Sequence, residues 1–136
     1  MKKPIKKSYK IYAKIDEIWS ALVDPEYIKE WGACPCIMEA KKGTEFTLWE
    51  GDIHGKNIEV VPKKKLVQEW YSGDWSKPSI VSFTLKPGKN SSLLELEHTG
   101  VPDDEYNDID TCWDDYYLAP IKEYLEKKAK RSTTSP

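Results

Sequence analysis

Apolar residues along this chain recur first at one period and then at another. In PIKKSYKIYA (4–13), Ile5, Tyr9 and Ile11 are the apolar positions of a predicted first strand. In KIDEIWSALVDPEYIKEWG (14–32), Ile15, Ile18, Trp19 and Leu22 fall at helical spacing. Asp24-Pro25 ends that helix and opens a second one. Proline suits the first helical position, where its missing N–H is not needed. The second helix closes near Trp31, and Gly32 can supply a left-handed cap.

From Cys36 the period is two. TEFTLWE (44–50) alternates Phe46 and Leu48 against Thr47 and Trp49. KNIEVV (56–61) puts Ile58 and Val60 on one face, and Pro62 marks the turn into KLVQEWYSGDW (65–75). SIVSFTLKPGKNSSLLELEHT (79–99) reads as a hairpin about Pro87-Gly88-Lys89-Asn90. Val81, Phe83 and Leu85 share one face of its first strand, and Leu94, Leu96 and His98 share one face of its second. Consecutive strands with such short turns make an antiparallel meander rather than a parallel sheet.

The helical period returns in CWDDYYLAPIKEYLEK (112–127). Trp113, Tyr117, Pro120 and Tyr124 cluster on one side, flanked by Ile121 and Leu125, with Asp115, Lys122, Glu123 and Glu126 opposite. Pro120 removes one backbone bond and should bend or loosen the helix. The segment 131–136 reads as a disordered tail behind a single domain, 1–130. The predicted architecture is α+β: a curved antiparallel sheet around a long C-terminal helix, with two short helices after the first strand. Such a sheet leaves a hollow, and aromatic rings with polar edges can line one that is partly wet.

Charge narrows the partners. A formal net charge of −2 gives no whole-molecule attraction to nucleic acid, and no apolar run approaches the ~20 residues of a spanning helix. The basic opening has no apolar segment behind it and does not read as a secretory signal. Cys34, Cys36 and Cys112 are an odd count, expected as reduced thiols in a cytoplasmic protein.

The residues offer little catalytic chemistry. The spacing of Cys34 and Cys36 is not that of a zinc knuckle, and His54 and His98 are remote from it. The acidic run DDEYNDID (103–110) lacks the glycine of a calcium loop, and no nucleotide-binding glycine pattern occurs. No catalytic residue, metal ligand or cofactor is predicted. His98 falls at the end of its apolar register, near the mouth of the hollow, and reads as a hydrogen-bonded structural residue. Asp114 reads as a carboxylate favoured in the early turns of its helix, and Trp75 as a loop residue at a rim.

Several stretches together resemble a known family. IDEIWSALVDPEYIKEW carries an Ile18-Trp19 pair leading to Ala21-Leu22, then Asp24-Pro25-Glu26, then Trp31. GKNIEVVPKKKLVQEW ends in Trp70; SSLLELEHTGVP and CWDDYYLAPIKEYLE follow in order. This series is similar to the domain family named for the activator of the heat-shock-protein-90 ATPase, over about residues 8–128. That family lies within the START and birch-pollen-allergen-like superfamily.

The resemblance implies a helix-grip fold with a hydrophobic cavity. It also implies an apolar or lipid-like small-molecule ligand, with a chaperone partner as the alternative. Chaperone regulation by this chain alone is expected to be absent or weak. The ligand cavity is expected between sheet and helix. Phe46, Leu48, Trp70, Phe83, Leu96 and His98 would come from the strands, and Trp31, Trp113, Tyr117 and Tyr124 from the helices.

Overall fold

The computed structural model describes residues 3–73 and 75–134. Strand β1 (Ile5–Ile11) is followed by helices α1 (Ile15–Val23) and α2 (Pro25–Trp31). Five strands come next: β2 (Glu45–Leu48), β3 (Ile53–Val61), β4 (Lys65–Ser72), β5 (Ser79–Pro87) and β6 (Ser92–Thr99). The helical C-terminal region comprises α3 (Tyr106–Cys112), a π-helical segment (Trp113–Leu118) and α4 (Ala119–Thr134). The sheet is antiparallel throughout, in the order β1-β6-β5-β4-β3-β2. This is the predicted α+β helix-grip architecture.

Local chemistry explains the first helices. The Asp24 side chain accepts from the Glu26 N–H at 3.0 Å, Pro25 begins α2, and Gly32 caps it at φ 111°. The Trp31 indole then donates to the Ala21 carbonyl at 2.8 Å, locking α2 onto α1. Ile18, Trp19 and Leu22 of α1 are buried as their spacing predicts.

The meander departs from simple alternation twice. A bulge between Asn57 and Glu59 interrupts β3. Asn57 is fully buried and Val60 packs against the core, whereas Ile58, expected on the face of Val60, is not in the core cluster. An extra residue shifts the period, and the sequence alone does not reveal it. The Asn57 amide is satisfied by the Glu39 carbonyl (2.8 Å) and by the Gln68 side chain, which donates to it at 2.9 Å. The second departure is at Trp49. β2 ends at Leu48, and Trp49, Glu50 and Gly51 all take left-handed backbone angles (φ 48°, 56° and 94°). Alternation would send the Trp49 ring away from Phe46 and Leu48; the turn instead brings it against the core.

The C-terminal helix crosses the concave face of the sheet. Ile109, Trp113, Tyr117, Leu118, Ile121 and Leu125 are buried, against Ile5, Ile11, Phe83, Leu85, Leu94 and Leu96 from the strands. Pro120 has the expected effect, displaced by a few residues. In an α-helix residue 120 would donate to Tyr116, which proline cannot do. The turns before it widen, and the N–H of Ala119 bonds to the carbonyl of Asp114, five residues back. The helix continues to Thr134, through part of the segment expected as a tail; residues 135–136 lie outside the described residues.

Polar ties fix the helix to β1. The Lys7 ammonium lies 2.9 Å from Asp110 and 2.8 Å from Asp114, and the Tyr9 hydroxyl donates to Asp114 at 2.7 Å. Burial works to raise the Asp114 pKa, but the Lys7 and Tyr9 contacts outweigh it and hold the carboxyl below its usual range. Asp114 is therefore a clamp between helix and sheet, more than a residue suited to an early helical turn.

The Cys34–Pro35 peptide bond is cis, and Cys34 and Cys36 form a disulfide with Cα atoms 4.3 Å apart. This corrects the expectation of reduced thiols at these positions. The turn brings the two side chains together, which a search for redox or zinc spacing overlooks. Cys112 is a free thiol.

The grip of sheet on helix can be measured. Phe83 is fully buried, with its ring 5.8 Å from both Trp113 and Tyr117. Phe83→Ala should cost about 3–5 kcal/mol in chemical denaturation. Glu123→Ala, on the exposed face of the helix, should change stability by less than ~0.5 kcal/mol. Equal midpoint shifts for the two variants would contradict this packing.

Candidate functional site

A cleft of about 360 Å³ opens between the ends of β3 and β4 and the helix where α3 passes into its π-helical segment. Trp49, Asp52 and Ile53 border it from the left-handed turn and the start of β3. Trp70 and Ser72 come from the end of β4, and Ile109, Cys112, Trp113, Tyr116 and Tyr117 from the helix. The aromatic rings form a continuous wall. Trp70 stacks on Trp113 at 5.1 Å, Trp113 lies 4.7 Å from Tyr117, and Tyr117 meets Trp49 edge-on at 6.1 Å. Burial pushes the Tyr117 hydroxyl pKa well up, so it stays protonated at any physiological pH.

Of the residues predicted to line a cavity, Trp70, Trp113 and Tyr117 border this cleft. Trp31 stands behind it, 4.7 Å from Tyr117 and 6.3 Å from Trp49. Phe46, Leu48, Phe83 and Leu96 are buried in the core cluster and are not part of its lining. Tyr124 lies further along the helix, edge-on to Tyr27 at 6.0 Å. Trp49, Asp52, Ile53, Ser72, Ile109, Cys112 and Tyr116 are cleft residues that sequence reasoning did not place there. Tyr116 is 63% exposed, and a polar-face tyrosine adjacent to buried Tyr117 was the available signal. Trp75, expected at a rim, is partly buried; its indole donates to the Glu105 carboxylate at 2.6 Å and pins its loop to the start of the helical region.

His98 is held within a chain of hydrogen bonds behind the wall. The Trp113 indole N–H donates to His98 Nδ1 at 2.9 Å. An indole nitrogen can only donate, so Nδ1 must be unprotonated and Nε2 carries the proton. Nε2 then donates to Ser79 Oγ at 2.7 Å, and Ser79 donates to the Trp70 carbonyl at 2.7 Å. Burial pushes the His98 pKa down from 6.5 to about 3. A histidine this reluctant to take a proton is no general base at neutral pH. Its place is structural: it orients Trp113 and ties it to the strand that carries Trp70. Two buried polar atoms lack a partner among the described residues, Trp70 Nε1 and Gln68 Oε1. Among those residues no group of three or more His, Cys, Asp or Glu converges as metal ligands would. Among the described residues no helix is long and apolar enough to cross a membrane.

This cleft and sheet order can be set beside known proteins. The family model described as activator of Hsp90 ATPase homolog 1-like protein matches residues 12–126. The chain belongs to the Hsp90 ATPase activator homolog 1-like family.

Within that family it resembles the activator of 90 kDa heat shock protein ATPase homolog 2 of Mus musculus, with 24% identity covering 87% of this chain and 36% of the relative. The corresponding homolog of Dictyostelium discoideum is 29% identical, over 95% of this chain and 36% of its own length. The chain thus spans about a third of the length of these curated relatives. An HSP90 activator from Plasmodium falciparum shares the fold, with a TM-score of 0.80 and 23% identity over 90% of this chain and 95% of that one.

The buried neutral imidazole of this family member makes its stability depend on acid. In the unfolded chain His98 takes up a proton near pH 6.5; in the folded protein it does so only near pH 3. Its contribution is therefore complete above pH 6.5 and is lost progressively as pH falls toward 3. His98→Gln should be less stable than wild type at pH 7 but lose less between pH 6.5 and pH 4, by urea denaturation. Parallel losses in the two proteins would show that His98 is not buried neutral.

Proposed function

We propose that this domain binds an apolar or amphipathic small molecule in the cleft between the sheet and the C-terminal helix. The observation that carries this reading is the cleft itself, about 360 Å³ in volume and walled by Trp49, Trp70, Trp113 and Tyr117. Volumes of this order hold small organic ligands, and buried aromatic walls provide most of the contact area in such sites. A close-packed core would leave these rings no open side. Binding with no chemical step fits a site where His98 is neutral and bonded at both ring nitrogens.

A second reading is a protein-interaction module that acts on a chaperone ATPase. Its support is the description of the curated relatives as activators of the 90 kDa heat shock protein ATPase. Those relatives are about three times longer than the matched segment, so the activity of the whole protein need not reside in this part. The two readings are compatible, because a cleft at one end of the helix leaves most of the surface for a partner.

Nile red, a neutral dye that brightens in apolar surroundings, tests the first reading. It should bind the wild type saturably and quench the indoles of the wall. Tyr116→Ala should weaken that binding several-fold while the thermal midpoint stays nearly unchanged, because Tyr116 borders the cleft but is largely exposed. A wild type that binds no dye would refute the ligand reading. The second reading is tested by ATP turnover of a 90 kDa heat shock protein from the same cell. We expect little change on adding this protein alone; several-fold stimulation at stoichiometric amounts would give the chaperone role precedence.

A further inference from the structure

The residues that border the cleft are unequal in charge and ring character. Five of its lining residues are aromatic: Trp49, Trp70, Trp113, Tyr116 and Tyr117. Aromatic faces carry the negative end of the ring quadrupole and attract cations. Among the described residues Asp52 is the one charged residue in the lining, and no lysine or arginine accompanies it there. Its carboxylate is exposed and takes part in none of the ion pairs among the described residues.

The helix side of the mouth has the same sign. Asp108 and Asp115 flank Cys112, which borders the cleft. Burial and then these two carboxylates push the Cys112 thiol pKa up, a sign that their negative field reaches the opening. A fatty acid or lipid phosphate would have to bring its charge into this field, with no cation among the described lining residues to receive it. A neutral ligand would gain at most a hydrogen bond from Asp52, with no attraction between opposite charges.

We infer that the cleft takes an apolar organic cation, an ammonium group carried on an aliphatic or aromatic body. The apolar body packs along Trp70, Trp113 and Tyr117, and the ammonium sits at the mouth between the ring faces and the Asp52 carboxylate. The inference rests on the cleft being a ligand site, and it adds the sign of the charge that the site accepts. Repulsion of anionic amphiphiles would be part of the selectivity, because specificity is a difference between affinities.

Three amphiphiles with one tail test the sign: decyltrimethylammonium, decyl maltoside and decyl sulfate, titrated below their micelle-forming concentrations and followed by indole fluorescence and calorimetry. The expected order of affinity is cation, then neutral, then anion. The cation should exceed the anion by about tenfold or more, as ring–cation attraction and a nearby carboxylate together imply. Asp52→Asn should reduce the affinity for the cation several-fold and leave that for the maltoside unchanged. Added salt should weaken the cation alone. If Nile red binds but the anion or the neutral amphiphile matches the cation, the charge inference fails while the cleft reading stands. The same holds if the preference for the cation survives both Asp52→Asn and the Asp108→Asn/Asp115→Asn double variant. If neither the dye nor any amphiphile binds, both readings fail.

Discussion

The seating of Trp113 under the sheet is the constraint on which the rest of this structure depends. Its indole is almost fully buried, stacked on Trp70 and edge-on to Phe83, with its N–H bonded to His98. An indole N–H left unpaired in such surroundings would be destabilising by a kcal/mol or more, roughly. His98 removes that penalty only as the neutral tautomer with Nδ1 free to accept, and Ser79 holds that tautomer in place. One ring thus links the helix to β6, β5 and β4 together.

The widened turns from Trp113 to Leu118 follow from the same seating. Pro120 cannot donate, and the chain answers with bonds to the fifth residue back. Trp113 and Tyr117 then lie on one flank with centroids 4.7 Å apart, facing the strand ends where the sheet offers no further bulk. On the far side Lys7 and Tyr9 hold Asp114, so the helix is clamped at β1 and left open toward β3 and β4. The cleft is the space that this asymmetric clamp does not fill. Its last wall is Trp49, which reaches it through consecutive left-handed residues, a costly conformation for tryptophan and glutamate that their surroundings must enforce. Backbone strain of this kind is found where a site needs a side chain that regular structure would point elsewhere.

This arrangement separates what the family shares from what the chain can do with it. A helix-grip fold is common to proteins with different roles, and the likeness to the Plasmodium activator is one of fold. What distinguishes one such chain from another is the set of side chains at the open end of the grip. Here they are indoles, phenols and a carboxylate.

Much of the scaffold is dictated locally and is legible without a structure. Asp24-Pro25 and Gly32 bound a helix because capping and proline geometry act over a few residues. The alternation of Val81, Phe83 and Leu85 against Leu94, Leu96 and His98 predicts a hairpin with one buried face, because side chains in a strand point to opposite sides in turn. The helical spacing of Trp113, Tyr117, Ile121 and Leu125 likewise identifies the face that enters the sheet. Of the cleft, this reasoning reached three rings, Trp70 on β4 and Trp113 and Tyr117 on the helix. It could not reach the bulge at Asn57, the left-handed path of Trp49, or the bond between Trp113 and His98. Each of these depends on contacts between residues far apart in the chain, and no local period encodes them. Tertiary packing alone decided which buried rings border open space, because a void is a property of how elements fail to meet. It also decided that Asp52 and Tyr116, ordinary surface residues by any sequence measure, stand at its mouth.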